Sequence, residues 1–367
     1  MTPRNKPEAL YLHVPFCRSI CYYCDFTHVM YRKETADAWL DALEKEFASR
    51  EFNPGLKTVY IGGGTPTSLS EEQLERLLSF LDPYTSHVSE YTCEINPETM
   101  NETKAQILYK HGVNRVSIGF QTDNAKLLKN MGRHHTVNDV KNVMDLLRKY
   151  GISNISLDLM YSLPEQTMED LETAIRTAVS LNPNHLSLYS LTVEENTVFG
   201  KRGYKSLDEE TEADMYEYIC QTLPSYGFHQ YEVSNFAKDG FESVHNKVYW
   251  TYRDFYGVSC GASGKEGFMR YDVTSSLKTY LENPLEREEI PLEKEDAMFE
   301  MVMMNLRLKA GMEKSLFEET FGIRFEEAFR GKYETLTEQG LLEVSQTHVK
   351  CTEKGFPVLN SVLEELL

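Results

Sequence analysis

Three cysteines, Cys17, Cys21 and Cys24, lie within eight residues near the start of the chain. The gaps of three and two residues allow one loop to turn all three sulfurs toward a single centre. Thiolates are soft ligands that suit iron–sulfur clusters, zinc or copper. A structural zinc site needs four ligands, and His28, four residues further on, brings no second ligand pair. Three thiols fit a four-iron cluster in which one iron stays open for chemistry.

Two other interpretations of this cysteine loop remain open. It could be an incomplete zinc knuckle in an interaction protein, or a set of buried thiols that behave as small apolar side chains. Seven cysteines is an odd number, and the other four are far apart: Cys93, Cys220, Cys260 and Cys351. This distribution is not the disulfide framework of a secreted protein. A reducing cytoplasm is the expected location.

Composition bounds the class of protein. The chain has 367 residues, of which 41% are hydrophobic, enough for one large domain and a smaller one. Its net charge of −19, from 57 acidic and 38 basic residues, disfavours nucleic acid as a partner. No apolar run approaches the roughly 18 residues of a membrane helix. Residues 1–6 are not followed by the apolar core of a secretion signal.

Strand-like and helix-like patterns alternate along the first half of the chain. The predicted strands are Leu10–Val14, Thr58–Ile61, Tyr91–Ile95, Arg115–Ile118, Asn154–Leu159 and His185–Leu191. The predicted helices are Ala36–Arg50, Glu71–Leu81, Glu102–His111, Val137–Tyr150 and Met168–Leu181. Ser70 with Gln73, and Asn101 before Glu102, are helix-start signals. The alternation predicts an α/β fold with a parallel sheet, closed into a partial (β/α)6 barrel of the TIM type.

Polar and glycine-rich residues fall where these strands end. After the cysteine loop come the turn Gly62–Pro66, then Glu94, Gln121 and Asp158. Active sites of parallel barrels form at the C-terminal ends of the strands, so these features should meet in one cleft. The glycine turn could be a mere connection or bind an anion through its amides. A carboxylate there could cap a backbone or grip a ribose diol.

The C-terminal part of the sequence changes in character. Residues 284–291 are acidic and punctuated by proline, which indicates a linker. We therefore divide the chain into a core barrel with its extension (1–285) and an accessory domain (286–367). The predicted elements of the second part are helices at Glu295–Lys309, Ser315–Phe321, Arg324–Leu336 and Val358–Leu367, and strands at Leu341–Val344 and His348–Cys351. This order is winged-helix-like, and the acidic balance favours a packing lid over a nucleic-acid reader.

Two groups of residues in these regions have bland interpretations. Met298, Met301, Met303 and Met304 are expected to fill the core of the C-terminal part. His134 and His135 follow Arg133, but adjacent residues do not face one another on a helix. We expect this pair to lie in a solvated loop.

The cysteine motif in the run His13–Cys17, together with Gly62–Pro66, resembles the radical SAM superfamily. Within it, the chain is similar to the oxygen-independent coproporphyrinogen III oxidase family and most closely to its branch of heme chaperones. The blocks that carry this resemblance are residues 113–121, 158–164, 231–237 and 245–250.

The resemblance implies cofactors and residue roles. Cys17, Cys21 and Cys24 would bind the 4Fe–4S cluster, whose open iron would be chelated by S-adenosylmethionine (SAM). Gly63, Gly64 and Thr65 would line the methionyl group, and Glu94 would hold SAM nearby. Further SAM contacts, some to a second SAM molecule, are implied for Tyr11, Tyr23, Gln121, Arg133 and Asp158. The implied partners are heme, heme-acceptor proteins such as respiratory-chain membrane proteins, and a second copy of the chain.

Departures from the oxidase pattern bear on the activity. The oxidases carry a further cysteine two residues past the third, where this chain has Phe26, and a longer N-terminal extension. Both differences favour a heme chaperone. The alternative is a radical SAM oxidoreductase that acts on coproporphyrinogen III or a related tetrapyrrole. The glycine-rich block 257–263 lacks the histidine that the chaperone branch usually has near Ser263.

His245 is the candidate heme ligand. It precedes Tyr249 and Trp250, and Tyr252, Phe255 and Tyr256 follow at once, so that a flat macrocycle could pack there. Neutral imidazole is a common axial ligand. His229 and Cys260 are alternative ligands. A histidine beside aromatic side chains is also often a hydrogen-bonded structural residue.

Overall fold

A computed structural model of the chain describes residues 6–367. Residues 1–5 belong to the N-terminal segment considered for a secretion signal, and they lie outside the described part. Between residues 6 and 367, none of the helices combines the length and apolar character needed to cross a membrane.

Six parallel strands form the centre of the molecule, as the alternating pattern predicted. Each pairs with the next in chain order, and Tyr11 of the first lies opposite Tyr60 of the second. The strands are β1 (Ala9–Val14), β2 (Thr58–Gly63), β3 (Glu90–Ile95), β4 (Arg115–Gln121), β5 (Asn154–Tyr161) and β6 (His185–Ser190).

Additional strands extend this sheet at both edges, giving nine in all. Tyr256–Val258 pairs in parallel with β1. Asn235–Ala237 pairs antiparallel with β6, and His229–Gln230 pairs antiparallel with Asn235–Ala237. Because the two edge strands do not pair with each other, the barrel is partial. The prediction of an open (β/α)6 barrel is confirmed, whereas these short edge strands were not foreseen.

The helices between the barrel strands also follow the predicted pattern. Ser70 and Gln73 form a reciprocal capping box, and the Asn101 side chain accepts a hydrogen bond from the Lys104 amide. Both helix-start predictions are therefore confirmed. The helices are α1 (Lys33–Ser49), α2 (Glu71–Thr85), α3 (Glu102–Lys110), α4 (Ala125–Asn130), α5 (Val137–Lys149) and α6 (Met168–Ser180).

Alternation along the barrel strands separates an apolar outer face from a polar lumen. Outward side chains such as Val59, Val116 and Leu157 are fully buried and join the main core under the helices. Because side chains of a strand alternate between its faces, the residues between them face the lumen. Polar side chains at those positions include Tyr60, Glu94, Ser117, Asp158, Ser187 and Tyr189.

The segment predicted as a linker is structured. Arg287–Pro291 is a strand that pairs antiparallel with Met269–Val273, which in turn pairs with Ser263–Glu266. The linker prediction is wrong because backbone pairing, which composition does not reveal, recruits this exposed acidic stretch. The division of the chain at residue 285 stays a prediction.

A second hydrophobic core lies in the C-terminal part. Met301 is buried in it, and Met298, Met303 and Met304 pack against it, so their role as core filling is confirmed. The helix predicted at Arg324–Leu336 is interrupted near Gly331, whose φ is +85°. The helices are Lys294–Asn305, Lys314–Phe321, Phe325–Ala328, Tyr333–Glu338 and Leu359–Leu366; the sheet has strands Met312–Glu313, Leu342–Val344 and His348–Cys351.

The remaining helices lie in the connections between β6 and the strand Arg287–Pro291. They are Val198–Lys201, Glu209–Thr222, Val244–Trp250 and Leu277–Glu282.

Candidate functional site

The cysteine loop leaves the C-terminal end of β1. Its ends are held together because Phe16–Cys17 pairs with Val29–Met30. The Cys17 thiol lies 3.7 Å from the Thr65 hydroxyl, and the Cys21 sulfur accepts a hydrogen bond from Arg133 Nη1 at 3.6 Å. The loop therefore meets the glycine turn and the segment after α4 at one edge of the sheet.

Burial raises the pKa of the Cys17 thiol to about 11 and that of the Cys24 thiol to about 12. A thiol in such a place stays protonated unless a strong positive charge compensates the thiolate. A bound metal supplies that charge and deprotonates a coordinating thiol. The chemistry of this loop thus fits a metal-containing group.

The spacing of the thiols bears on which group fits. In the described chain, no three His, Cys, Asp or Glu side chains surround a single metal-ion position. A lone zinc ion would need all its sulfur ligands at about 2.3 Å. Each cysteine of an iron–sulfur cluster instead binds its own iron, so the three thiols stand further apart. The iron–sulfur cluster stays the prediction for this loop, with the zinc knuckle as the alternative.

Arg133 links the thiols to the barrel. Its Nη1 donates to Asn96 Oδ1 at 2.8 Å and its Nη2 to the Gly119 carbonyl at 2.7 Å, while Asn96 Nδ2 donates to Thr65 Oγ1 at 2.9 Å. Arg133 Nε is buried and has no partner among the described residues. A buried N–H without a partner costs stability, and a ligand that accepts from it would remove that cost. The guanidinium therefore has one donor left for a ligand.

Two of the three glycines of the turn, Gly63 and Gly64, have no room for a side chain. Gly63 has φ +107°, and a Cβ there would lie 2.6 Å from the His13 ring; a Cβ on Gly64 would lie 2.7 Å from the Phe16 carbonyl oxygen. A side chain at either position strains the turn before any ligand binds. A substitution at Gly63 would therefore disturb the turn itself, and the role of these glycines in lining the SAM site stays a prediction.

Glu94 is held over the glycine turn by two donors. The Tyr60 hydroxyl donates to Oε1 at 2.7 Å and the Gly63 amide to Oε2 at 3.1 Å. Burial raises the pKa of the Glu94 carboxyl to about 7, with the two donors lowering it and Asp158 raising it. Near neutral pH this carboxyl is poised between its two protonation states.

The other predicted SAM residues converge on the same lumen. The Ser117 hydroxyl lies 2.9 Å from both Asp158 oxygens, and burial raises the pKa of that carboxyl. Gln121 ends β4 with φ +62°, a strained conformation for a residue other than glycine. Tyr11 lies beside Glu94, and Tyr23 beside Cys21, where burial raises the pKa of both phenols.

Three supporting residues were not foreseen from the sequence. Asn96 bridges Thr65 and Arg133, Tyr60 holds Glu94, and Ser117 holds Asp158. A signal for two of them existed, because Tyr60 and Ser117 are polar residues at lumen-facing positions of otherwise apolar strands. Asn96 follows β3 and carries no such signal.

The histidine pair after Arg133 is only half solvated. His134 is exposed, but His135 is buried, with Nε2 3.0 Å from the Phe120 carbonyl oxygen. The expectation of a solvated loop is therefore wrong for His135. Burial opposes ionisation of the neighbouring Glu98, yet His135 and Arg133 lower the pKa of its carboxyl to about 2.

The structure gives no support to His245 as a heme ligand. The residue is fully buried, and its two ring nitrogens lie 2.9 Å from Thr58 Oγ1 and 2.7 Å from Tyr249 Oη. Burial, reinforced by Arg115, lowers the pKa of the imidazole to about 3. Of the alternatives, Cys260 is also fully buried, whereas the His229 side chain is 62% exposed.

This fold and this site define a class of protein. Residues 11–178 match the Radical SAM superfamily, and residues 292–358 match the HemN C-terminal domain. Coproporphyrinogen III oxidase (HemN) from Escherichia coli has the same fold, with a TM-score of 0.84 at 22% identity over 98% of this chain and 90% of that one.

Full-length relatives narrow the class. The chain is 40% identical to heme chaperone HemW of Lactococcus lactis, over 99% of this chain and 98% of that protein. It is 39% identical to heme chaperone HemW of Bacillus subtilis, over 98% and 99%, and 34% identical to that of Escherichia coli, over 98% of each. The chain belongs to the HemW family.

Proposed function

We propose that this protein is a cytoplasmic heme chaperone that carries a 4Fe–4S cluster and SAM and passes heme to acceptor proteins. The observation that carries the cluster and SAM is the meeting of the cysteine loop, Arg133 and the Glu94–glycine turn at one edge of the barrel. When bound, such a cluster supplies an open iron that can coordinate the amino and carboxylate groups of SAM.

Within this proposal the chain's own residues have distinct tasks. Cys17, Cys21 and Cys24 hold the cluster, and the Arg133 guanidinium donates to the Cys21 sulfur. Glu94, once ionised, accepts hydrogen bonds from SAM. Ser117 of β4 holds Asp158 of β5, whose charge acts on Glu94.

Heme as cargo is supported by the names of the full-length relatives. A cleft of about 920 Å3, within the size range of ligand sites, lies after β6 and is lined by Val193, Tyr204, Lys205 and Leu207. Gly200 also lines the cleft, and the amide of the residue before it, Phe199, donates to the Tyr22 carbonyl of the cysteine loop at 2.8 Å. We place heme in this cleft, with Tyr204 as axial ligand. Glu195, Asp208 and Glu209 also line it, so the propionates should point toward Lys205.

A heme titration followed by the Soret band tests this placement. Tyr204→Phe should weaken heme binding about tenfold and shift the Soret band, because the phenol oxygen that would ligate the heme iron is lost. His245→Ala should leave the spectrum unchanged. An unaltered Soret band in Tyr204→Phe together with a loss in His229→Ala would move heme to the sheet edge at His229.

The second candidate function is an oxidoreductase acting on coproporphyrinogen III. Phe26, which stands where the oxidases have a cysteine, is 64% exposed on the cysteine loop. A position this open could accommodate a sulfur, but the chain offers no thiol there. We expect no decarboxylation of coproporphyrinogen III.

One anaerobic experiment separates the two functions. The reconstituted protein is divided, and heme titration and coproporphyrinogen turnover with SAM and a reductant are measured in parallel. Stoichiometric heme binding, transfer of that heme to an apo-acceptor, and no protoporphyrinogen support the chaperone. Multiple turnovers to protoporphyrinogen would make the protein an enzyme and overturn the proposal.

A further inference from the structure

We propose that the helix Val244–Trp250, with His245 at its centre, is a positioning element for the SAM site: it fixes strands β2 and β3 so that Tyr60 and Glu94 meet. This inference rests on the proposed function, because it assigns the helix to SAM binding. It also gives the block 245–250 a role other than heme ligation.

The helix is pinned to β2 at two successive lumen-facing positions. His245 Nδ1 lies 2.9 Å from the Thr58 hydroxyl, and the imidazole ring packs on the Tyr60 ring with centroids 5.2 Å apart. The other ring nitrogen lies 2.7 Å from the Tyr249 hydroxyl, one helical turn further on. His245 thus connects the helix to the residue that donates to Glu94.

The same helix is pinned to β3 at its N-terminus. The Glu90 carboxylate accepts hydrogen bonds from the Val244 amide at 2.9 Å, the His245 amide at 2.8 Å and the Ser243 hydroxyl at 3.2 Å. Acidic groups are stabilised at a helix N-terminus, where backbone N–H groups lack intrahelical partners. Glu90 and Glu94 are four residues apart on one strand, and so face the same side.

The consequence is a rigid geometry around the Glu94 carboxyl. Tyr60 and Glu94 stand on neighbouring strands, and their 2.7 Å hydrogen bond depends on the relative placement of β2 and β3. Each strand is anchored to the helix two or four residues before the contact, at Thr58 and Glu90. A binding group held by locked neighbours loses less entropy when the ligand arrives.

The test uses a matched pair of Tyr→Phe substitutions in the reconstituted full-length protein. Tyr60→Phe keeps a ring packed against His245 but removes the donor to Glu94. Tyr280→Phe removes an equivalent buried phenol that donates to Glu46 at 2.8 Å, away from this site. SAM affinity is measured by calorimetry between pH 6 and 9, alongside the cluster absorbance and thermal unfolding.

We expect Tyr60→Phe to weaken SAM binding about tenfold at pH 7, or ~1.4 kcal/mol, and Tyr280→Phe to leave it unchanged. Because the Tyr60 hydroxyl lowers the pKa of Glu94, its loss raises that pKa, so affinity should recover at higher pH. Groups that act on Glu94 or are acted on by it are Tyr60, Asp158, Tyr11, Cys17, Cys93, Tyr189 and Tyr249. None of the others is altered in this variant.

A second variant tests the helix itself. Thr58→Val removes the hydroxyl partner of His245 with little change in shape, and we expect SAM affinity to fall about threefold while heme titration is unchanged. Equal SAM affinity in wild type, Tyr60→Phe and Thr58→Val would overturn the positioning role and leave the proposed function intact. An equal loss in Tyr280→Phe would also overturn it. A wild-type protein that holds its cluster but binds no SAM would overturn both.

Discussion

Two groups of polar side chains lie on the barrel, and they differ in how much of their bonding capacity is used. At the C-terminal edge, the Cys17 and Cys24 thiols have raised pKa values, and Arg133 Nε has no partner among the described residues. Around His245, one ring nitrogen bonds the Thr58 hydroxyl, the other bonds the Tyr249 hydroxyl, and the Glu90 carboxylate accepts a hydrogen bond from the Val244 amide. We propose that the first group receives a ligand and that the second supports the strands that carry the first.

The largest expected effect comes from removing a cysteine of the first group, at the C-terminal edge of the barrel. Replacing any one of Cys17, Cys21 or Cys24 by Ala should abolish the broad visible absorbance and the bound iron and sulfide of anaerobically prepared protein, because each thiol holds its own iron. Cys220→Ala and Cys351→Ala are the controls, since neither side chain approaches the loop. Tightly bound zinc without sulfide would contradict the cluster.

The next largest effect comes from removing His245 from the second group. His245→Ala should lower the free energy of unfolding by about 3 kcal/mol in urea titrations, because it leaves buried Thr58 and Tyr249 hydroxyls without a partner. In wild type, the imidazole of the unfolded chain becomes protonated below pH 6.5. The buried imidazole of the folded chain stays neutral there, because its pKa is lowered to about 3. Stability is therefore lost as pH falls from 6.5 toward 3, and the variant should lose less over that window. A heme-bound spectrum that changes in this variant would restore His245 as a ligand.

A smaller effect sharpens the role of Glu94. Glu94→Gln should weaken SAM about tenfold at pH 8 with the cluster absorbance intact, because an ionised acceptor is replaced by a neutral amide. Wild-type affinity should rise between pH 6 and 8 as this carboxyl, with a pKa of about 7, ionises. Calorimetry of both proteins measures this, and a pH profile shared by the two would assign the ionisation to another group.

The smallest effect concerns a residue outside both groups. Phe26→Ala should change the free energy of unfolding by less than about 0.5 kcal/mol, because the exposed ring makes little packing contribution. Thermal unfolding with Lys126→Ala, which breaks an exposed ion pair with Glu165, gives the comparison. A loss near 2 kcal/mol in Phe26→Ala would show that the ring is covered in solution.

Much of the fold could be predicted from the sequence because its signals are local. The capping box of Ser70 and Gln73 and the alternation along β2–β6 depend on near neighbours only. The predictions failed where distant pairing decides the outcome. The composition of Arg287–Pro291 predicts a linker, but the segment pairs with Met269–Val273. The sequence around His135 predicts a solvated side chain, but the side chain is bonded to the end of β4.

The sequence by itself determined the three-thiol loop, the glycine turn and the polar positions at the strand ends, because the spacing of ligands along a loop and the period of a strand are properties of neighbouring residues. Only the tertiary structure decided that Arg133 donates to a sulfur 112 residues away and that His245 bonds a hydroxyl 187 residues away. From the sequence alone, either ring nitrogen of a histidine could ligate a metal. Whether a ligand can reach them depends on burial, and burial is set by packing between elements far apart in the chain.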